Sequence, residues 1–148
     1  MLRLIYTSRA VSPLSVGDLL TLMYFARLKN EQVAISGMLF HHDGEFLQLL
    51  EGPERAVEDC FAAVAGDGRH ADVSLLVREE VGERLFPDWS MGFEHIDDHE
   101  LAEVLEGFAP TSSFQLLREL PWSDPENAVR LFELYAREHL SGAEIGSP

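Results

Sequence analysis

The order of short apolar runs and helix-start signals is the feature that most constrains the fold of this chain. Residues 2–8 form a β-rich apolar run, and Ser15 followed by Asp18 starts a helical pattern. Two apolar runs, a second helical pattern and two further strand-like runs come next, so the order is βαββαββ. This order predicts an α+β fold of the ferredoxin-like type. We expect a five-stranded mixed sheet, two helices on one face and a C-terminal helical extension.

Turn and cap residues set the expected bounds of these elements. An Asp-Gly pair at positions 43 and 44 joins two apolar runs and is typical of a β-hairpin. Ser123 and Glu126 form a capping-box pattern before the last helix. The expected strands cover 2–8, 33–40, 45–50, 72–79 and 88–95, and the expected helices cover 16–29, 53–65, 97–107 and 122–140. We therefore predict a domain over 1–96 and a C-terminal helical cap or output extension over 97–148.

Charge and cysteine content exclude several classes of function. Eleven Lys and Arg residues stand against 26 Asp and Glu residues, which gives a formal net charge of −15. A surface this acidic repels phosphate backbones and anionic membranes, so direct nucleic-acid or membrane binding is not expected. Cys60 is the single cysteine, so an internal disulfide cannot form. The first residues lack a signal-peptide pattern, and we expect a cytoplasmic protein.

A tyrosine and a glutamine stand out in the expected apolar layer of the sheet. Strand alternation places Tyr6 on one face with Leu4, and Gln48 on one face with Phe46. The same alternation predicts that Trp89 and Met91 share a face of the last strand. A buried amide needs a partner, because an unmet one costs about 1–3 kcal/mol. Two interpretations stay open: a self-satisfied Tyr–Gln pair in the core, or two groups that face a bound ligand.

Other polar clusters give weaker signals. Adjacent side chains at His41, His42 and Asp43 point apart, so a solvated turn is favoured and no metal site is predicted. The polar loop 67–70 follows the second helix, and its sequence favours a charged surface loop. An anion-binding site is the less favoured alternative. The sequence shows no residue pattern typical of a hydrolase active site.

Six segments of the chain resemble one known family in the same order. They are Leu4-Ile5-Tyr6-Thr7-Ser8, Ala26-Arg27-Leu28-Lys29-Asn30, Ile35-Ser36-Gly37-Met38-Leu39, Phe46-Leu47-Gln48-Leu49-Leu50-Glu51-Gly52, Asp67-Gly68-Arg69-His70 and Phe86-Pro87-Asp88-Trp89-Ser90-Met91. Together they resemble the BLUF domain, a flavin-binding blue-light sensor, over residues 2–95. The helical remainder resembles the C-terminal cap of the short, single-domain members.

The resemblance implies a cofactor and a set of site residues. The implied cofactor is oxidised FAD, bound non-covalently between the two helices, with FMN or riboflavin as alternatives. Tyr6 corresponds to the photoactive tyrosine, and Gln48 to the glutamine between it and the flavin. The implied contacts with the flavin come from Lys29, Asn30, Ile35, Gln48, Asp67, Arg69 and His70, and the implied signal relay from Trp89 and Met91. Some members carry a basic residue late in the second helix, where this chain has Ala63.

The resemblance also implies a function without substrate turnover. Light-driven electron and proton transfer from Tyr6, with rearrangement of the Gln48 hydrogen bonds, would give a reversible red-shifted state. We expect a homodimer or larger homo-oligomer and an unidentified downstream protein as partners. The alternatives are a ferredoxin-like flavin oxidoreductase and a plain dimeric α+β interaction domain.

Overall fold

The computed structural model describes residues 1–13, 15–42, 44–95 and 124–146. The strands are β1 (Leu2–Ala10), β2 (Ser36–His42), β3 (Glu45–Gly52), β4 (His70–Glu80) and β5 (Gly92–His95), and the helices are α1 (Val16–Gln32), α2 (Glu54–Ala65) and α3 (Pro125–Gly146). The predicted α+β class and βαββαββ order are confirmed. The predicted helix over 97–107 and the cap residue Ser123 lie outside the described residues.

The five strands form one mixed sheet in the order β4-β1-β3-β2-β5. Strand β1 is antiparallel to both β3 and β4, and β2 is antiparallel to β3 but parallel to β5. Strands β1 and β3 are therefore neighbouring central strands, with β3 in the middle of the sheet. Their register sets Tyr6 directly opposite Gln48. The two residues singled out in the sequence are thus cross-strand neighbours in the middle of the sheet.

Local signals explain where the elements begin and end. The Ser15 side chain accepts a hydrogen bond from the Asp18 amide, and the Asp18 carboxylate accepts one from the Ser15 amide, so the predicted capping box opens α1. Asp124 Oδ1 accepts bonds from the amides of Glu126 and Asn127 at the start of α3. That carboxylate caps the helix one residue later than the sequence pattern indicates.

Each face of the sheet carries a buried apolar layer. On one face, side chains of β1 and β3 form an apolar layer with α1 and α2, through residues such as Leu4, Phe46, Met23 and Val57. On the other face, Ile5, Phe40 and Leu49 pack with α3 through Leu131, Phe132 and Tyr135. The expected packing of two helices on one face is confirmed. The apolar stripe of α3 covers the opposite face.

Two strands begin later than the sequence predicts. The strand expected over 33–40 begins at Ser36, because the Val33 amide bonds Asn30 O at the end of α1 and Ala34 then adopts a left-handed φ of 59°. The strand expected over 88–95 begins only at Gly92. Strand alternation therefore does not apply at Trp89. Within the described ranges, no helix combines the length and apolar character needed to cross a membrane.

Candidate functional site

The centre of the site is a Gln48 amide with a different partner at each end. The Tyr6 hydroxyl donates a hydrogen bond to Gln48 Oε1. At the other end, Gln48 Nε2 lies 3.5 Å from the Met91 sulfur, which is a weak acceptor. Tyr6 is fully buried, whereas Gln48 is half-buried. The amide is therefore oriented by one acceptor contact and one donor contact.

Burial keeps the tyrosine protonated. The pKa of Tyr6 is raised well above 10.0, first by the loss of solvation of its phenolate and then by the negative charge of the nearby Cys60 when ionised. Burial also raises the pKa of Cys60, and the Lys29 ammonium partly opposes that increase. Tyr6 is consequently a neutral hydrogen-bond donor at physiological pH.

A cavity of about 230 Å³ lies between α1 and α2 on the same face of the sheet. Gln48 borders it from β3, so the amide faces both the core and the cavity. Six of the residues predicted to bind a cofactor line it: Lys29, Asn30, Gln48, Asp67, Arg69 and His70. The other predicted contact, Ile35, is 3% exposed and packs in the apolar layer beside the cavity rather than in its lining.

Asn30 connects this cavity to the segment before β5. Its side chain is buried, and Asn30 Nδ2 donates a 2.8 Å hydrogen bond to the Ser90 carbonyl. Asn30 also lines the cavity, as Gln48 does. Two primary amides therefore border a mostly apolar space, and each amide also contacts the segment that contains Met91.

The loop between α2 and β4 supplies charged and polar groups at the cavity. Hydrogen bonds from Arg69 lower the pKa of Asp67 to about 2, so its carboxylate is ionised. His70 Nδ1 lies 3.2 Å from the buried Ser8 hydroxyl. Burial lowers the pKa of His70, and the opposing influence of Asp67 is smaller. This loop therefore presents an ion pair and a neutral imidazole.

The prediction that Trp89 shares a face with Met91 is wrong. Met91 packs in the layer with Tyr6, but Trp89 packs on the opposite side of the sheet. The Trp89 ring stacks on Phe86, with centroids 5.7 Å apart, and meets Tyr135 of α3 edge-on at 6.2 Å. Because β5 starts at Gly92, the backbone over 89–91 does not follow strand alternation and sends these two side chains to different faces.

Sequence reasoning missed much of the apolar wall of the cavity. Those residues are Leu22, Met23, Phe25, Leu39, Phe46, Cys60 and Val64. Leu22, Met23 and Val64 belong to apolar stripes of α1 and α2, which predict a core-facing helix side equally well. The stripes indicate burial but cannot show that a gap remains between the two helices.

Comparisons with known proteins place this site in a family. A family model described as BLUF, sensors of blue light using FAD, matches residues 1–92. The chain belongs to the BLUF family. A solved structure of BlrB, a BLUF protein in its dark state, superposes with a TM-score of 0.74 and 28% identity, over 93% of this chain and 96% of that chain. The resemblance noted in the sequence is confirmed.

Two curated relatives show the range of proteins that contain this domain. The photoactivated adenylate cyclase subunit beta of Euglena gracilis is 38% identical over 89 residues, which are 60% of this chain and 10% of that protein. The blue light- and temperature-regulated antirepressor BluF of Escherichia coli is 31% identical over 115 residues, which are 76% of this chain and 28% of that protein. The chain thus spans only about a tenth of the cyclase subunit that it matches.

Proposed function

We propose that this BLUF chain is a blue-light photoreceptor that binds oxidised FAD non-covalently between α1 and α2 and turns over no substrate. The observation that carries the proposal is the Gln48 amide, which contacts the Tyr6 hydroxyl at one end and the Met91 sulfur at the other. It borders the cavity where a flavin would lie. A switchable amide, a buried phenol and a cavity between helices are the parts that a flavin photosensor requires.

The residues around the cavity fit a flavin. Apolar side chains of both helices suit the flat ring, and the amides of Asn30 and Gln48 offer donors and acceptors to its polar edge. Lys29 supplies a positive charge, and Ile35 supports the ring from the adjacent layer. Asp67, Arg69 and His70 would meet the parts of the cofactor beyond the ring. FMN and riboflavin share that ring, so they are the alternative cofactors.

Tyr6 and Gln48 carry the photochemistry in this proposal. Bound oxidised flavin supplies blue-light absorption and, once excited, a strong oxidant. Tyr6 is the buried group that gives up an electron and its phenolic proton and later recovers both. Gln48 is the group that changes its hydrogen-bond pattern, because a primary amide has a donor end and an acceptor end. A flavin that fills the cavity would keep water from the amide, so the changed pattern would persist until thermal return.

Met91 and Trp89 are proposed to relay the change. A reversed Gln48 amide would set Oε1 against the Met91 sulfur, and a thioether has no hydrogen to donate. The Gln48–Met91 contact is therefore stable in one orientation only. Trp89, two residues earlier, contacts Tyr135 on the other face of the sheet. The segment over 89–91 thus links the flavin side to α3.

The output is proposed to leave through the C-terminal part of the chain. Residues 1–96 would form the cytoplasmic sensor, and residues 97–148 would form the output extension. The recipient would be an unidentified downstream protein or another copy in a homodimer or larger homo-oligomer. No observation favours the oxidoreductase or the plain interaction domain over this function.

Absorption spectroscopy of the purified chain tests the proposal. We expect a yellow protein whose spectrum shifts to the red under blue light, without added reductant, and returns in the dark. Extraction and chromatography of the bound pigment would distinguish FAD from FMN and riboflavin. A colourless protein that fails to take up any flavin would contradict the proposal, and bleaching by a nicotinamide donor would favour the oxidoreductase.

A further inference from the structure

Two side chains of α1 hold consecutive carbonyl groups of the segment before β5. Arg27 Nε donates a 2.7 Å hydrogen bond to the Met91 carbonyl, and Asn30 Nδ2 donates a 2.8 Å bond to the Ser90 carbonyl. The two donors are three positions apart in the helix, so they lie on neighbouring turns of one side. They fix the backbone at the point where Met91 turns toward Gln48.

The two donors differ in their relation to the flavin cavity. Asn30 lines that cavity, so a change of Asn30 would alter cofactor binding and the segment together. Arg27 does not line the flavin cavity. It borders a second cavity of about 320 Å³ with Trp89 and with Tyr135 of α3. Arg27 therefore contacts the segment over 89–91 outside the flavin cavity, at a cavity that Tyr135 of α3 also lines.

We propose that Arg27 is a positioning residue that holds the Met91 backbone and so keeps the Met91 sulfur at Gln48 and the Trp89 ring on the α3 face. The inference rests on the proposed photosensor function. A guanidinium suits this task because it is always charged, and hydrogen bonds from charged donors are stronger than neutral ones. Loss of this bond would leave Ser90 as the carbonyl still held by α1.

One backbone amide reports the position of this segment directly. The Gly37 N–H on β2 donates a 3.0 Å hydrogen bond to the Trp89 carbonyl. Its hydrogen exchange therefore measures how often the segment over 89–91 separates from β2. Amides in the central strands β1 and β3 measure global opening in the same experiment.

Hydrogen exchange of flavin-loaded Arg27→Met tests the proposal, because methionine nearly keeps the length of the chain up to Nε and has no hydrogen to donate. In the dark we expect the protection of Gly37 to fall about tenfold, as for the loss of one hydrogen bond from a charged donor, while the β1 and β3 amides keep theirs. Arg27→Lys retains a charged donor and should restore most of the protection. Arg78→Met is the matched control, because Arg78 pairs with Glu54 and Glu58, away from this segment.

The same hydrogen-exchange measurement under blue light provides a second test. In the wild type, illumination should lower the protection of Gly37, whereas in Arg27→Met the dark value should already be close to the illuminated one. Unchanged dark protection of Gly37, or an equal fall at the central strands, would overturn the role of Arg27. A wild-type protein with no reversible red shift would contradict the photosensor function instead, and the dark comparison would still decide whether Arg27 positions the segment.

Discussion

The Met91 sulfur lies 3.5 Å from Gln48 Nε2, at the end of the amide opposite the Tyr6 hydroxyl. The two groups that contact the Gln48 amide therefore differ in their hydrogen-bonding capacity. The Tyr6 hydroxyl donates or accepts a hydrogen bond, but the thioether only accepts one. A reversed amide keeps a partner at Tyr6 and loses the partner at Met91. This asymmetry makes Met91 the group that distinguishes the two orientations.

Replacement of Tyr6 by phenylalanine should abolish the reversible red shift. The ring keeps its packing against Phe61, but the hydroxyl that supplies the electron and proton is gone. The free energy of unfolding should fall by about 1–3 kcal/mol, because Gln48 Oε1 loses its buried donor. Difference spectra before and after blue light check the result. Tyr24→Phe, at an exposed position of α1, should leave the shift intact. A normal shift in Tyr6→Phe would contradict the assignment.

Replacement of Gln48 by leucine should also remove the shift, for a different reason. Leucine has a similar volume but neither a donor nor an acceptor, so no hydrogen-bond pattern remains to be reversed. The cavity and its apolar walls persist, and flavin should still bind. Absorption spectroscopy with a flavin titration separates these two effects. Gln32→Leu, at the exposed end of α1, serves as the control. A full-amplitude shift in Gln48→Leu would show that another group switches.

The sequence predicted best where the chain is most regular. Tyr6 and Gln48 lie in the interiors of the two central strands, where alternation holds, so both faces and the pairing could be inferred. Alternation failed at Trp89, because residues before Gly92 are not strand. No local pattern indicates that Arg27 reaches the Met91 carbonyl, since that contact joins residues 64 positions apart. Such contacts depend on how the loop before β5 packs, which periodicity does not encode.

Acidification should destabilise the protein through His70. Burial lowers the pKa of this imidazole below its ordinary 6.5, despite the opposing Asp67 carboxylate, so the folded state favours the neutral ring. The unfolded chain therefore binds the proton more readily, and the free energy of unfolding falls as the pH drops below about 6.5. Asp67, with a pKa of about 2, does not titrate in that range.

Urea unfolding of wild type and His70→Gln at pH 7.5 and pH 5.5 isolates this contribution. The other five histidines are common to both proteins, so the difference between the two pH dependences belongs to His70. We expect a smaller loss of stability on acidification in His70→Gln. Identical pH dependences would show that burial does not perturb this imidazole in the folded protein.

Replacement of Gly92 by alanine should disturb the packing of Trp89. A methyl group built at Gly92 would lie 2.5 Å from Trp89 Cε3 and 2.6 Å from Met38 Sδ, so at least one of these side chains must move. We expect the free energy of unfolding to fall by about 1–3 kcal/mol, the usual cost of overpacking a core.

Gly82→Ala is the matched control, because nothing lies within 4 Å of a methyl group there. Denaturant unfolding of both variants, with dark and light spectra, provides the measurement. Since Gly92 does not line the flavin cavity, the red shift should persist in Gly92→Ala. Equal stabilities of the two alanine variants would show that Trp89 is not held against Gly92 in the folded protein.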